Sequence, residues 1–147
     1  MFMLDTNAFN RALDGSVDPV SLSSRGKLFV THVQLNEIQA TPSKERLEQL
    51  LGVFAAVDQE KVPAAAAVWD VSEWDSAEWG GADGAYAAML ASLNARNNSK
   101  KSNARDVLIA VTALKRAYTL VTDDRDLAAV LQESGGKAIT FEQLVRG

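Results

Sequence analysis

The chain has no cysteine and one histidine, His32. Thiolate–zinc sites, multi-histidine zinc sites and Cys–His nucleophile pairs are therefore excluded, and a Ser–His–Asp triad would have to use His32. No apolar stretch is long enough to cross a bilayer. The start shows no basic region followed by an apolar run and a small-residue cleavage site, so we read no secretion signal. With no cysteine, nothing requires an oxidising compartment; the expectation is a cytoplasmic protein that does not engage a membrane. Basic residues are in the minority, 15 Lys and Arg against 19 Asp and Glu, a formal net charge of −4. That argues against a protein that grips nucleic acid with its whole surface, but it leaves room for a local basic groove.

What remains is a chain of 147 residues, 47% hydrophobic, enough to bury a core as one domain over residues 1–147. Its abundant reactive groups are carboxylates. A metal site built from them is an oxygen-ligand site, which suits Mg²⁺ or Mn²⁺. Bound divalent ions would also reverse the field at an acidic site.

Apolar runs and helical spacings alternate along the chain. MFML reads as a short buried strand, and residues 7–14 as a helix stopped by Gly15. Residues 16–26 look like loop, with Pro19 and several serines. KLFVTH (27–32) is a second strand that leads into a helix around VQLNEIQA. Thr41-Pro42 reads as the cap and first position of a further helix carrying Leu47, Leu50, Leu51 and Phe54 at helical spacing. Residues 64–81 suggest an extended piece and a loop, ADGAYAAMLASLNAR a helix, and NNSKKS a polar break. ARDVLIAVTALKRA is a strongly apolar helix, YTLVTDD a strand, and DLAAVLQES a helix stopped by Gly135-Gly136; KAITFEQLV closes with a strand and a turn of helix. The alternation implies an α/β layer fold with a mainly parallel sheet.

Two of these strands run straight into carboxylates: MFML into Asp5, and YTLV, through Thr122, into Asp123 and Asp124. In open α/β sheets ligands bind at the carboxyl edge, so these acids share a rim. Asp5 by itself reads equally well as the cap of the next helix. Glu37 follows the second strand by about a turn and a half of helix, bracketed by Leu35 and Ile38; alone it reads as a solvated helix residue. Asp106 shares a helix face with Ile109, Ala110, Ala113 and Ala117, while Val107, Leu108, Val111 and Leu114 make the other sides apolar. Such a helix is buried, and a carboxylate in its first turn is costly unless paired, hydrogen-bonded or metal-bound. The plainer alternative is that Asp106 complements the helix dipole. Asn103, one turn earlier, is placed to orient it. Like charges gathered this way predict a neutralising cation. Two-metal phosphodiester hydrolysis uses carboxylates in this manner, with ions about 3.5–4 Å apart.

LDTN at the start, a Glu after the second strand, an Asp opening ARDVLIAVTA, and then LVTDDRDL together resemble the PIN-domain nucleases. The compact build is most similar to the VapC-type toxins of bacterial toxin–antitoxin pairs. The resemblance spans nearly the whole chain, and order and spacing carry it, because each motif is short. It implies a PIN-like three-layer fold and a Mg²⁺- or Mn²⁺-dependent endoribonuclease, held in check by a cognate antitoxin and dimeric. Asp5, Glu37 and Asp106 match the first three acidic ligands. The fourth falls on Asp124, with Asp123 and Asp126 as its rivals. Thr6, Asn7 and Thr122 match positions whose side chains support the acids. No His or Lys is required as a base, which suits so histidine-poor a chain, and His32 reads as structural.

Lys44, Arg46, Arg96, Lys100, Lys101 and Arg105 are candidates for RNA phosphate contacts, or else ordinary solvated charge. NNSKKSNAR brings Lys100, Lys101 and Arg105 close ahead of Asp106. Trp69, Trp74 and Trp79 stand among Asp70, Glu73, Asp75 and Glu78. Acidic neighbours disfavour stacking on RNA bases; a core plug, a subunit interface or a groove for an Arg-bearing antitoxin segment suits them better. Three rivals remain: a catalytically inactive PIN module acting through protein partners, a Mg²⁺-binding receiver-like signalling domain, and a DxDxT-type phosphatase. No Lys closely follows YTLVT as a receiver would need, and residue 7 is Asn where the phosphatase needs Asp.

Overall fold

β1 (Phe2–Leu4) is only three residues long and is paired on both sides. In the computed structural model, which describes residues 1–15, 17–57, 59–62 and 85–146, β1 pairs in parallel with β2 (Leu28–Val30) on one side and β4 (Thr119–Val121) on the other. β3 (Gln59–Lys61) extends the sheet beyond β2, and β5 (Lys137–Ile139) extends it beyond β4. The order is β3-β2-β1-β4-β5, with every pairing parallel. Strand side chains alternate between faces. Met3, Phe29 and Leu120 enter one core, while Leu4, Leu28, Val30 and Val121 enter the other.

Helices cover both faces. α5 (Ala85–Asn97), α6 (Asn103–Lys115) and α7 (Arg125–Glu133) pack on the first core, and the buried side of α6 runs from Val107 to Ala113. α1 (Thr6–Asp14), α2 (Pro19–Ser23), α4 (Lys44–Ala56) and α8 (Phe141–Arg146) enclose the second. α3 (His32–Gln39) serves both, giving Val33 to one and Ile38 to the other. The result is the expected three-layer α/β arrangement.

Several local expectations shift. β2 ends at Val30, and Thr31 caps α3 with His32 as its first residue. Ser43, not Thr41, caps α4: its hydroxyl accepts from the Arg46 N–H. The serine-rich stretch after Gly15 holds the short helix α2. β3 carries no apolar signature, because an edge strand of Gln59, Glu60 and Lys61 faces water along much of its length. The stop after α7 behaves as expected. Gly135 takes a left-handed φ of 90°, and the Gly136 N–H reaches back to Leu131 O at 2.9 Å, a Schellman closure. Residues 64–81, with Trp69, Trp74 and Trp79, lie outside the described residues.

Candidate metal centre

Asp5 sits where β1 stops. Its backbone is extended, and its Oδ1 accepts from the Thr6 N–H at 2.8 Å, so it caps α1. The sheet register sets Leu4 beside Val121, which brings the next residues, Asp5 and Thr122, together. Thr122 donates its hydroxyl to Asp5 Oδ2 at 2.7 Å. Asp5 thus caps α1 with one carboxylate oxygen and meets Thr122 with the other. Asp5 is 3% exposed. Burial raises its proton affinity above the ordinary carboxylate value. The Thr122 and Thr6 hydrogen bonds oppose that, and the charges of Asp124 and Asp123 push it further up.

Glu37 is carried by α3. Thr31 and Gln34 form a capping box at the start of this helix. The Gln34 amide donates to Leu4 O at 2.8 Å, tying α3 to the end of β1. Glu37 then lies one turn on, and its Oε1 accepts from the Thr6 hydroxyl at 3.2 Å. Burial first, then the Asp5 charge, push its pKa up to about 7; the Thr6 hydrogen bond and the Arg105 charge work the other way. Burial likewise pushes Asp106, in the first turn of α6, up to about 7. The charges of Asp5 and Glu37 add to this, a hydrogen bond from Ser102 opposes it, and Asp124 contributes a smaller push.

Asn103 does not help Asp106. It is 1% exposed, and its amide is taken up by α5: Nδ2 donates to Asn94 Oδ1 at 2.8 Å and Asn97 Oδ1 at 2.7 Å, while Oδ1 accepts from Asn97 Nδ2 at 2.9 Å. Ser102 takes the expected place. A shared helix face could not reveal that a neighbouring helix competes for the amide.

The three acids after β4 have separate tasks. Asp124 caps α7, its Oδ1 accepting from the Asp126 and Leu127 N–H groups at 3.0 and 3.1 Å. Its own N–H donates to Thr122 Oγ1 at 3.1 Å. Asp123 pairs with Arg11 through Oδ2 and accepts from the Phe141 N–H at 3.1 Å through Oδ1. Arg11 also lies over the Phe141 ring, 5.6 Å from its centre. Asp123 thus joins α1 to α8, although its charge is still felt at Asp5. Asp126 is half-buried in the first turn of α7. Asn7 is exposed, and among the described residues no hydrogen bond links it to an acid.

Of the basic candidates, Arg46 grips Asp14 with two nitrogens, at 2.6 and 3.1 Å, and Asn10 at 2.9 Å. Arg96 pairs with Glu133. These two fasten helices together. Lys44 is exposed at the start of α4. Lys100, Lys101 and Arg105 are exposed where the chain enters α6, and the Arg105 charge reaches Glu37.

The arrangement is a set of oxygen donors at the carboxyl end of a parallel sheet, beside the strand where the order reverses. The charge of Asp5, just past β1, reaches Glu37 of α3 and Asp106 of α6, and the Glu37 charge reaches Asp106. By donor chemistry the set fits a hard divalent cation. As placed, however, no group of three His, Cys, Asp or Glu among the described residues stands closely enough together to hold a metal ion. Sequence reasoning missed Gln34. Its signal was present, the T-x-x-Q pattern of Thr31 and Gln34 ahead of an apolar helix.

The PIN domain family profile matches residues 2–133. No curated protein matches the sequence significantly. Among solved structures, a chain of VapBC2 from Rickettsia felis, bound to a DNA fragment from their promoter, is 17% identical with a TM-score of 0.58; the match covers 95% of this chain and 97% of that one. PAE2754 from Pyrobaculum aerophilum is 15% identical with a TM-score of 0.58, over 99% of this chain and 92% of that one. FitAB bound to the IR36 DNA fragment contains a chain 18% identical with a TM-score of 0.52, over 96% and 95%. At these identities the likeness is one of fold.

Proposed function

The chain belongs to the PIN domain family, and from that premise we propose that it is a Mg²⁺- or Mn²⁺-dependent endoribonuclease, the toxin of a toxin–antitoxin pair. One observation carries this reading: Asp5 and Glu37, separated along the sequence, both meet Thr6 where β1 ends, and burial, then the Asp5 charge, raise the proton affinity of Glu37 and of Asp106. Nothing in a folding argument favours gathering unneutralised carboxylates. Asp5, Glu37, Asp106 and Asp124 are the residues that would hold the ion, with Thr6 and Thr122 fixing the carboxylates by donated hydrogen bonds. When bound, divalent ions supply charge neutralisation and water activation for hydrolysis of an RNA phosphodiester. Lys100, Lys101 and Arg105, at the entry to α6, are the residues that would hold the RNA backbone.

The toxin assignment rests on the resemblance of the acidic positions, in order and spacing, to VapC-type toxins. It is supported by the fold shared with chains of VapBC2 and FitAB. With it go a cognate antitoxin protein as partner, a homodimer, a cytoplasmic location and one PIN domain over residues 1–147. Among the described residues, no helix is long and apolar enough to cross a membrane. The spacing of the acids favours one second reading, a catalytically silent PIN module that acts through protein contacts.

The deciding experiment is cleavage of RNA by the wild type in Mg²⁺ and in EDTA, beside Asp5→Asn and Asp106→Asn. Cleavage that needs the metal and is lost in both folded variants supports the nuclease. Full cleavage in either variant overturns the site, and a wild type without metal-dependent cleavage leaves the silent module.

A further inference from the structure

The acids come from separate elements, so something must fix those elements against one another. We propose that Gln34 is a positioning residue: it holds α3, and with it Glu37, in register with the end of β1, and with it Asp5, for metal binding. The inference rests on the reading of these acids as a metal centre.

Gln34 is fully buried. Its Oε1 accepts from the N–H of Thr31 at 2.9 Å and from the Thr31 hydroxyl at 2.7 Å. Its Nε2 donates to Leu4 O at 2.8 Å and to Met3 Sδ at 3.3 Å. A glutamine amide has two donor hydrogens and one acceptor oxygen with two lone pairs, and here all are used. One side chain therefore bolts the cap of α3 to the carbonyl immediately before Asp5. An apolar side chain of this size would take these partners away from the Leu4 carbonyl and the Thr31 N–H. What the amide adds is direction, because hydrogen bonds fix distance and angle where apolar packing does not. The other link between the two acids, Thr6 Oγ1 to Glu37 Oε1, is longer at 3.2 Å. The Gln34 bonds to oxygen are the tighter fastening, and a slip of α3 would carry Glu37 off Thr6.

The test follows free Mn²⁺ by electron paramagnetic resonance as it is titrated into wild type, Gln34→Met, Gln34→Leu and the control Thr112→Val, each with its melting temperature. Thr112 is equally buried, and its hydroxyl donates to Leu108 O at 2.7 Å within α6. Losing a group that orients a ligand weakens metal binding about 10–100-fold. A loss of about tenfold or more in the folded Gln34 variants, with Thr112→Val within about twofold of wild type at a comparable melting temperature, supports the proposal. Wild-type affinity in a folded Gln34 variant overturns it, as does an equal loss in Thr112→Val. No Mn²⁺ binding by the wild type overturns the metal-centre reading itself.

A second measurement needs no variant. If the Gln34 bonds favour metal binding, metal binding must in turn strengthen those bonds. Exchange of the Gln34 side-chain amide hydrogens, followed by NMR in wild type, should slow when Mg²⁺ is added. Exchange unchanged at saturating Mg²⁺ overturns the proposal even if no Gln34 variant folds.

Discussion

Thr122 donates its hydroxyl to Asp5 at 2.7 Å across 117 residues of sequence, and the same oxygen accepts from the N–H of Asp124 at 3.1 Å. One hydroxyl thus connects the end of β1 at Asp5 to the start of α7 at Asp124. Its hydrogen bond is also the largest influence that lowers the proton affinity of Asp5. Thr122→Val keeps the shape and removes the bond. We expect a stability loss of about 1 kcal/mol, about 2–4 °C in melting temperature. Metal affinity should fall about tenfold or more. Calorimetry with Mn²⁺ checks both; unchanged affinity would show that Asp5 needs no support from β4.

The raised proton affinities predict how the metal-free protein responds to pH. Glu37 moves from 4.5 to about 7 and Asp106 from 3.8 to about 7 on folding. Between those limits the folded state binds more protons than the unfolded state, so stability falls as pH rises. The melting temperature in EDTA should be highest near the lower limit, drop towards pH 7 and level off above it. Mg²⁺ should restore stability at pH 8 and do little at pH 4.5, where the acids are protonated. A flat or rising profile in EDTA would contradict these shifts.

Neutral amides at the same positions should separate stability from activity. Glu37→Gln and Asp106→Asn remove the charge whose burial is costly. In EDTA at pH 8 each should melt above wild type, by a few degrees, while RNA cleavage falls to background. Near pH 4, where the wild-type acids are protonated, the difference should vanish. A variant that melts lower than wild type at pH 8 would mean that the carboxylate is already compensated within the protein.

The meeting of strand ends in the candidate site could be read from the sequence because two short apolar runs end abruptly in acids. In a parallel sheet, side-by-side strands bring such ends together, as Leu4 beside Val121 does for Asp5 and Thr122. The central strands and α6 were legible for the same reason: they are buried, and burial writes itself in apolar residues. β3 was not, since Gln59, Glu60 and Lys61 lie on an edge. Polar partnerships were harder still. Asn103 shares a helix face with Asp106, yet its amide is claimed by Asn94 and Asn97 of α5. Gln34 lies in what reads as a half-solvated helix, but it is buried by a contact 30 residues away at Leu4.

The basic residues at the entry to α6 should contribute a salt-dependent part of the RNA affinity. Lys100, Lys101 and Arg105 are exposed, whereas Arg46 and Arg96 are engaged with acids elsewhere. Each phosphate contact releases counterions and adds about 0.7 to the slope of log affinity against log salt for single strands. Lys100→Glu with Lys101→Glu should weaken binding of an uncleaved RNA analogue and flatten that slope by about 1 or more. The paired change Arg46→Gln should leave the slope alone and cost stability instead. Equal slopes for the lysine variant and wild type would move the RNA path elsewhere.

Asp123 and Asp124 are neighbours, and their hydrogen bonds allow a clean choice between them as the fourth acid. Asn caps a helix about as well as Asp does, so Asp124→Asn keeps the two bonds that start α7 and removes only the charge. If Asp124 is a metal ligand, this variant should melt like wild type in EDTA and yet lose about tenfold or more in Mn²⁺ affinity and cleavage. Asp123→Asn removes the ion pair with Arg11, which is half-exposed, so its cost is about 1 kcal/mol or less. The amide oxygen can still accept from the Phe141 N–H, which keeps α8 in place. Cleavage should then stay within about threefold of wild type, because the charge removed acts on Asp5 only from a distance, as the last of the influences on it. The reverse pattern, loss in Asp123→Asn and retention in Asp124→Asn, would mean that the Arg11 pair opens for the ion and that Asp124 serves only to begin α7.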